Sequence, residues 1–324
     1  LNNHIGLPLS LLELRHRPDI AVVELGMNHA GEIRTLVDIA QPDVRVWTNV
    51  AEVHTEFFES LAAVADAKAE ILEQATAGTV LVANADDPLV MAHVERFAGR
   101  VVTFGLETGA DVTVSDLEER ALDGFAGRLR TPAGDAPIRV PLVGRGNVMN
   151  TLAAIGVALH FDVSLADIVE AAGRLRPAAH RGEVLRLAGG VTVVDDCYNS
   201  NPRALRSVLA VIARETRTAR RLAVLGEMLE LGPQSEALHE MCGSAAAAAG
   251  LRYLVTVGGD AAEALGRSAV RAGMDPAAVR HVATSAEAAD LVMRLVRAGD
   301  LVLVKGSRGI RTDLVVDRLK AEFA

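Results

Sequence analysis

Two hydrophobic patterns alternate along the chain. One is the short unbroken run rich in Val, Ile and Leu, bounded by turn residues, which reads as a buried strand. The other is apolar spacing at i, i+3 and i+4, which reads as a helix packed on one face. The run "IAVVEL" (20–25), set between Pro18 and Gly26, predicts a buried strand, and a helix follows over 31–40. "VRVWTNV" (44–50) predicts the next strand and 61–75 the next helix. "TVLVANADDP" (79–88) repeats the strand-then-turn pattern, and "RVVTFG" (100–105) adds another strand. Such alternation predicts a parallel sheet with helices on its faces. Between 111 and 143 the helical spacing lapses into short runs broken by Gly and Pro, a β excursion inside the domain. "GNVMNTLAAIGVALHF" (146–161) restores a helix, and "SLADIVEAAGRL" (164–175) adds one with Ser164 as its N-cap.

From Arg186 the pattern is cleaner. Strands are expected at 191–195, 221–226, 253–258, 280–284 and 301–306, each followed by a helix. Asn201 before Pro202 reads as an N-cap followed by proline at the first helical position, and Gly250 is placed to end a helix. These units predict a second, doubly wound, Rossmann-like domain. The boundary falls in "RPAAHRGEV" (176–184), giving an α/β chain divided into 1–179 and 180–324.

Composition narrows the classes. The 324 residues suit about two domains at ~150 residues each. Half the residues are apolar and 23% charged, which excludes a disordered or collagen-like chain. A net charge of -9 argues against nucleic acid or an anionic membrane surface as a partner. The alanine run 245–249 is far short of the ~20 apolar residues that span a bilayer. The first residues show no basic n-region followed by an apolar h-region, and Cys197 and Cys242 stand in no metal or redox spacing, so a reducing cytoplasm is expected. Leu1 opens inside loop-like "LNNHIGLP", from which we expect the chain to be a piece of a longer one.

In parallel α/β sheets ligands gather outside the carboxyl ends of the strands. Those positions carry "ELGMNHAGE" with Glu24, "TNVAEVHTE" with Asn49, Glu52, His54 and Glu56, and then "DDCYNSNP" (195–202), "GEMLELG" (226–232) and "KGSRG" (305–309). Polar loops after strands are ordinary. Five dense in carboxylates and amides on one rim suit a hard cation such as Mg²⁺. Lys68 lies on the apolar stripe of its helix, with Leu61, Val64, Ala65, Leu72 and Ala75. It either snorkels from the stripe's edge or is partly buried, its charge offset by a partner or removed as a carbamate. Lys305, Ser307 and Arg308 lie between a strand and a helix, as a solvated turn or as an anion site. "GRGNVMN" (144–150) lacks dinucleotide-fingerprint spacing. His4, His16, His93, His160 and His281 have no ligand spacing; Tyr198 is placed to pack or stack, and Trp47 to join the core.

Taken in order, "LNNHIGLPLSLL", "AVVELGMNHAGEI", "NVAEVHTEFFESLAAVADAKAEIL", "GRGNVMNTLAA", "HRGEV", "VVDDCYNSNP", "LGEMLELG" and "LVKGSRG" resemble the Mur ligases over nearly the whole chain. The resemblance implies an enzyme of peptidoglycan precursor synthesis that uses ATP and Mg²⁺. Its nearest members phosphorylate the carboxylate of UDP-MurNAc-tripeptide, and the amine of D-Ala-D-Ala attacks the acyl phosphate. It implies small-molecule partners, no membrane insertion and a monomer. Carried over by position, Glu24 and His54 match metal-site residues, and Lys68 matches a lysine that is carbamylated in sister ligases. Asn147 matches the residue near the adenine, Arg181 the arginine that reaches the ATP phosphates, and Asp196 the aspartate on the ribose side, with Asn199 and Asn201 nearby. Lys305, Ser307 and Arg308 fall where the acceptor is bound, and Asn2 and Asn3 near the muramoyl peptide.

The sequence departs from the family in two places. No G-x-x-G-K-[ST] loop or uridine-binding domain lies within the 324 residues, and Phe57-Phe58-Glu59-Ser60 stands where "GFGS" is usual. The chain alone is therefore expected not to turn over ATP. Two other readings fit the same residues: a binding or regulatory protein without a P-loop, or a sister ligase for another acceptor such as folate.

Overall fold

A computed structural model describes residues 2–51, 58–107 and 109–324. The chain divides into two compact units. The first comprises Leu1–Leu117, Gly127–Ile138 and Met149–Glu170, and the second Glu118–Ala126, Arg139–Val148 and Ala171–Ala324.

The first unit opens with α1 (Gly6–Leu11) and α2 (Glu32–Ala40). Strands β1 (Val44–Trp47), β2 (Val80–Asn84) and β3 (Arg100–Phe104) form a parallel sheet in that order, interleaved with α3 (Leu61–Ala69) and α4 (Pro88–Val94). Every residue of β2 is buried, as its unbroken apolar run requires of a central strand. Ile33 and Val37 of α2, Val64 and Ala65 of α3 and Val90 of α4 pack with Trp47, Leu81 and Ala83 in one core. Ser60 caps α3 by accepting from Ala63 N–H, and past Ala69 the chain tightens into a 3-10 turn, so the helix stops short of residue 75. The β excursion is a separate three-stranded sheet of β4 (Thr113–Glu119), β5 (Phe125–Thr131) and β6 (Gly134–Val140). Helices α5 (Arg145–His160) and α6 (Leu165–Gly173) follow, and the Ser164 hydroxyl accepts from Asp167 N–H, as an N-cap should.

One predicted strand does not form. Residues 20–25 have no strand partner among the described residues, and Val22 is 92% exposed. A β-branched run becomes a strand only where a neighbouring strand offers hydrogen bonds and a surface to pack on. Here Gly26 N–H, just beyond the run, donates instead to the backbone oxygen of Asn2 at 2.7 Å.

In the second unit, β7 (Glu183–Arg186) and β8 (Thr192–Asp196) precede α7 (Pro202–Arg214), β9 (Arg221–Gly226), α8 (Ser235–Ala248) and β10 (Tyr253–Val257). Then come α9 (Asp260–Arg271), β11 (Val279–Val282), α10 (Ser285–Leu295), β12 (Leu301–Lys305) and α11 (Asp313–Glu322). The six strands lie in the order β11-β10-β9-β12-β8-β7, all parallel except the edge strand β7. Alternation along β9 shows how both faces are covered. Ala223 and Leu225 pack with Leu205 of α7, Leu238 of α8 and Leu265 of α9. Leu222 and Val224 pack with Val292 of α10 and Val316 of α11. Asn201 caps α7 by accepting from Ala204 N–H, with Pro202 at the first turn, and Gly250 follows α8 at φ +66°. Helices α7 and α11 leave the adjacent strands β8 and β12 on opposite faces, so the carboxyl ends of those two strands form the topological switch point, the crevice position where open α/β sheets bind ligands.

Candidate functional site

At that crevice the second unit interlocks its loops. Lys305, the last residue of β12, is 3% exposed, and its Nζ donates to Asp196 Oδ2 at 2.7 Å and to the backbone oxygen of Asn199 at 2.9 Å. Burial pushes the Asp196 carboxyl above its ordinary range, against the opposing pull of the Lys305 ammonium. Ser307 is also buried. Its hydroxyl accepts from Leu229 N–H at 2.9 Å, and its own N–H donates to Glu227 O at 3.2 Å. The Glu227 carboxylate accepts from Gly259 N–H at 2.6 Å. Met228 N–H donates to Nε2 of the buried His239 at 2.9 Å, while Nδ1 of that ring bonds Ser235 O at 2.7 Å. The loops after β8, β9 and β12 are thus one hydrogen-bonded rim. On it stand Arg181, whose guanidinium carbon lies 3.9 Å from the centre of the Tyr198 ring, the exposed Asn199, and the exposed Arg308.

The first unit has its own polar rim. Asn2 Nδ2 donates to Glu24 Oε1 at 3.0 Å, and Asn3 Oδ1 accepts from Ile5 N–H and Gly6 N–H at the start of α1. The loop after β1 is held from three sides. Asn84 Nδ2 donates to Thr48 O at 2.8 Å, Val50 N–H to Asp87 Oδ2 at 2.8 Å, and Lys68 Nζ to Asn49 O at 3.2 Å. Lys68 is half-buried, and desolvation pushes its ammonium below the ordinary lysine range, partly offset by the Asp87 carboxylate. The glycine-rich turn before α2 is pinned by carboxylates. Glu32 Oε2 accepts from Asn28 and His29 N–H, and the buried Glu70 accepts from Gly31 and Arg34 N–H.

This arrangement has relatives. Residues 1–158 match the pattern described as Mur ligase middle domain, and residues 180–308 that described as Mur ligase, glutamate ligase domain. The UDP-N-acetylmuramoyl-tripeptide–D-alanyl-D-alanine ligase of Bacillus subtilis is 30% identical over 322 residues, covering 98% of this chain and 68% of the relative. The chain belongs to the Mur ligase family. The Mycobacterium tuberculosis (strain H37Rv) ligase of the same description is 35% identical over 341 residues, covering 99% of this chain and 66% of the relative. Among solved structures, MurF from Acinetobacter baumannii superposes with a TM-score of 0.87 at 30% identity, over 99% of this chain and 69% of that one. MurF from Thermotoga maritima in complex with ADP gives 0.82 at 25%, over 99% and 72%. The chain therefore spans about two thirds of the length of the Mur ligases it matches.

The sequence-derived residues fall into three groups. Asp196, Asn199, Lys305 and Ser307 come together by direct hydrogen bonds or through the rim, with Arg181 beside Tyr198. Asn201 Oδ1 is engaged by its own helix, Asn147 Nδ2 donates to Val143 O at 2.8 Å, and Arg308 lies 3.9 Å from Asp313. In the first unit Glu24 pairs with Asn2, and Lys68 sits by the β1 loop. His54 lies outside the described residues, together with Glu52, Glu56 and Phe57. The sequence assigns no individual role to Asp87, Glu70, His180 or Asp195, although the last two stand in "HRGEV" and "DDCYNSNP". Asp87 before Pro88 was visible as a helix cap, and the Asp-Asp pair as a site signal, but the distant partners of all four were not.

Proposed function

We propose that this chain is the ATP-handling and acceptor-binding part of a ligase that joins D-Ala-D-Ala to UDP-MurNAc-tripeptide, forming ADP and phosphate. One observation carries the reading: likeness at 30–35% identity, over 98–99% of this chain, to proteins described as that ligase. ATP phosphorylates the terminal carboxylate of the tripeptide, which turns a poor electrophile into an acyl phosphate. The amine of D-Ala-D-Ala attacks the carbonyl, and the tetrahedral intermediate collapses to the amide and phosphate. Mg²⁺, when bound, neutralises the crowded phosphate oxygens.

In this reading Glu24 and His54 hold the metal; Glu24 offers the hard oxygen donor that Mg²⁺ prefers. Lys68 takes up CO₂ as the neutral amine, forming an N–C bond and releasing one proton. The carbamate would supply an anion to a bound metal ion, and the burial that depresses the Lys68 ammonium favours the neutral amine it forms from. Asn147 faces the adenine, Asp196 and Asn199 the ribose, and Arg181 the phosphates. Asn201, Lys305, Ser307 and Arg308 shape the acceptor pocket; Lys305 does so by fixing the Asp196–Asn199 loop rather than by offering its own ammonium. Asn2 and Asn3 lie by the muramoyl peptide. We further propose a cytoplasmic monomer with sequence domains 1–179 and 180–324, of which 118–126, 139–148 and 171–179 pack with the second compact unit.

The test is phosphate release requiring Mg²⁺, UDP-MurNAc-tripeptide and D-Ala-D-Ala together. The 324 residues contain no G-x-x-G-K-[ST] loop, so they are expected to be silent alone. Turnover is expected from a polypeptide translated from the reading frame that includes the codons upstream of Leu1, where those encode such a loop. Release stimulated by another acceptor, or absent from that longer polypeptide, overturns the reading.

A further inference from the structure

The two adjacent aspartates at the end of β8 have opposite surroundings. Asp196 turns to Lys305 on the rim. Asp195 is fully buried, and both of its carboxylate oxygens are engaged. Oδ1 takes the Cys197 thiol at 2.6 Å and Cys197 N–H at 3.4 Å, and Oδ2 lies 2.9 Å from Nδ1 of His180. Burial and the neighbouring carboxylate push the Cys197 thiol far up, so it remains a thiol and donates. The three side chains therefore form a hydrogen-bonded chain with Asp195 at its centre. A buried carboxylate is costly unless such partners surround it. This one is fully buried and takes all three of these hydrogen bonds from within the protein.

What it holds is the residue before Arg181. His180 has a left-handed backbone, φ +61°, and its backbone oxygen accepts from Tyr198 N–H at 3.0 Å. The segment carrying Arg181 is thus fastened twice to the strand-end loop, once through the His180 side chain and once through its backbone. Arg181 is exposed, yet its guanidinium lies over the Tyr198 ring, on the same loop that Asp195 begins. A long side chain with many rotamers is thereby held from a fixed base over the Tyr198 ring, where its charge acts on Asp196.

We propose that His180 and Asp195 are positioning residues: their hydrogen bond sets the backbone from which Arg181 reaches a phosphate. The proposal rests on the reading of Arg181 given above. It assigns the first aspartate of the pair to orientation and leaves the second to the nucleotide. Asp195 acts only through His180 and Arg181.

Three replacements of His180 separate the hydrogen bond from the backbone. His180→Asn keeps a donor where Nδ1 lies and tolerates positive φ. His180→Gln carries its amide at the Nε2 position. His180→Gly accepts φ +61° without any donor. In the 324-residue chain, the Arg181 side-chain protons should show the upfield NMR displacement of a group stacked on Tyr198. We expect His180→Asn to keep that displacement, and His180→Gln and His180→Gly to lose most of it while their thermal unfolding remains cooperative. Retention in His180→Gly, or loss in His180→Asn, overturns the proposal. If one variant fails to fold, Asp195→Ala is read in the same way, and retained displacement there also refutes it.

In a polypeptide that carries an upstream G-x-x-G-K-[ST] loop and turns over, His180→Gly should lower kcat by about 10²-fold, the scale of a misplaced catalytic group, with KM for D-Ala-D-Ala unchanged. Arg181→Ala separates the two layers of the argument. Normal turnover in Arg181→Ala defeats the role given to Arg181. Loss in Arg181→Ala with normal turnover in His180→Gly defeats the positioning role alone.

Discussion

Lys68 shows how one side chain can be read two ways until its surroundings are known. Its place on the apolar stripe fits a snorkelling lysine as well as a buried one. In the structure Nζ turns inward to Asn49 O, near Asp87, and desolvation favours the neutral amine. We expect ¹³CO₂ to give a carbamate carbon signal in the chain that disappears in Lys68→Ala. In a polypeptide that carries an upstream G-x-x-G-K-[ST] loop and turns over, Lys68→Ala should lose turnover by at least ~10²-fold, with partial rescue by a small carboxylic acid. Near-normal turnover would return Lys68 to a packing role. His239 gives a second prediction. It is fully buried and accepts from Met228 N–H through Nε2, so a proton there would break the bond, and burial holds its pKa below the ordinary value of 6.5. The unfolded chain takes up that proton first, so this residue's contribution to stability is full above about pH 6.5 and declines as pH falls toward the lowered folded value. His239→Gln should cost about 1–3 kcal/mol at pH 7, yet flatten the fall in Tm between pH 7 and pH 5. An equally steep fall in the variant would place the acid sensitivity elsewhere.

At the scale of elements, local pattern located most pieces, and partners decided the rest. Strands predicted at 221–226 and 301–306 are found at 221–226 and 301–305, because a parallel strand buried on both faces leaves an unbroken apolar run. Asn201-Pro202 started a helix as expected, since both its cap and its first turn are local chemistry. The run at 20–25 misled because its strand character depends on a neighbour that no local pattern reports. The site divides along the same line. Loops after strands could be located by their polarity, but Asp195 with His180 and Glu70 with Gly31 are joined across 15 and 39 positions of the chain. Helix packing adds a prediction that propensity alone would reverse. A Cβ at Gly243 of α8 would lie 2.2 Å from Leu265 O and 2.8 Å from Ser268 Cβ on α9. Gly243→Ala gains about 1 kcal/mol of helix propensity but overpacks that contact by about 1–3 kcal/mol or more. Urea unfolding should show net destabilisation. A more stable variant would mean that α8 and α9 separate easily.

At the scale of the molecule, sequence position and compact unit do not coincide. Leu122, early in the chain, is 4% exposed and packs in the core of the second unit, while Asp123 meets Arg217 at 2.5 Å. Leu122→Ala should therefore cost about 2–5 kcal/mol in the unfolding of the second unit, followed by probes on α7 and α8. The isolated segment 180–324 should still unfold cooperatively, with a midpoint below that of the same residues in the whole chain. Equal midpoints would mean that the contribution of Leu122 is negligible. Among the described residues no helix is long and apolar enough to cross a membrane. The sheet order has a consequence for synthesis. Strands β8 and β9 follow one another in the chain, yet β12 lies between them. While the ribosome is still translating toward residue 301, the inner edges of both strands have no partner, and the sheet is divided at its centre. The native contacts that close it span about a hundred residues, so contact order makes closure late and slow. Until then the nascent domain exposes two adhesive edges, and its yield depends on how long they remain unpaired.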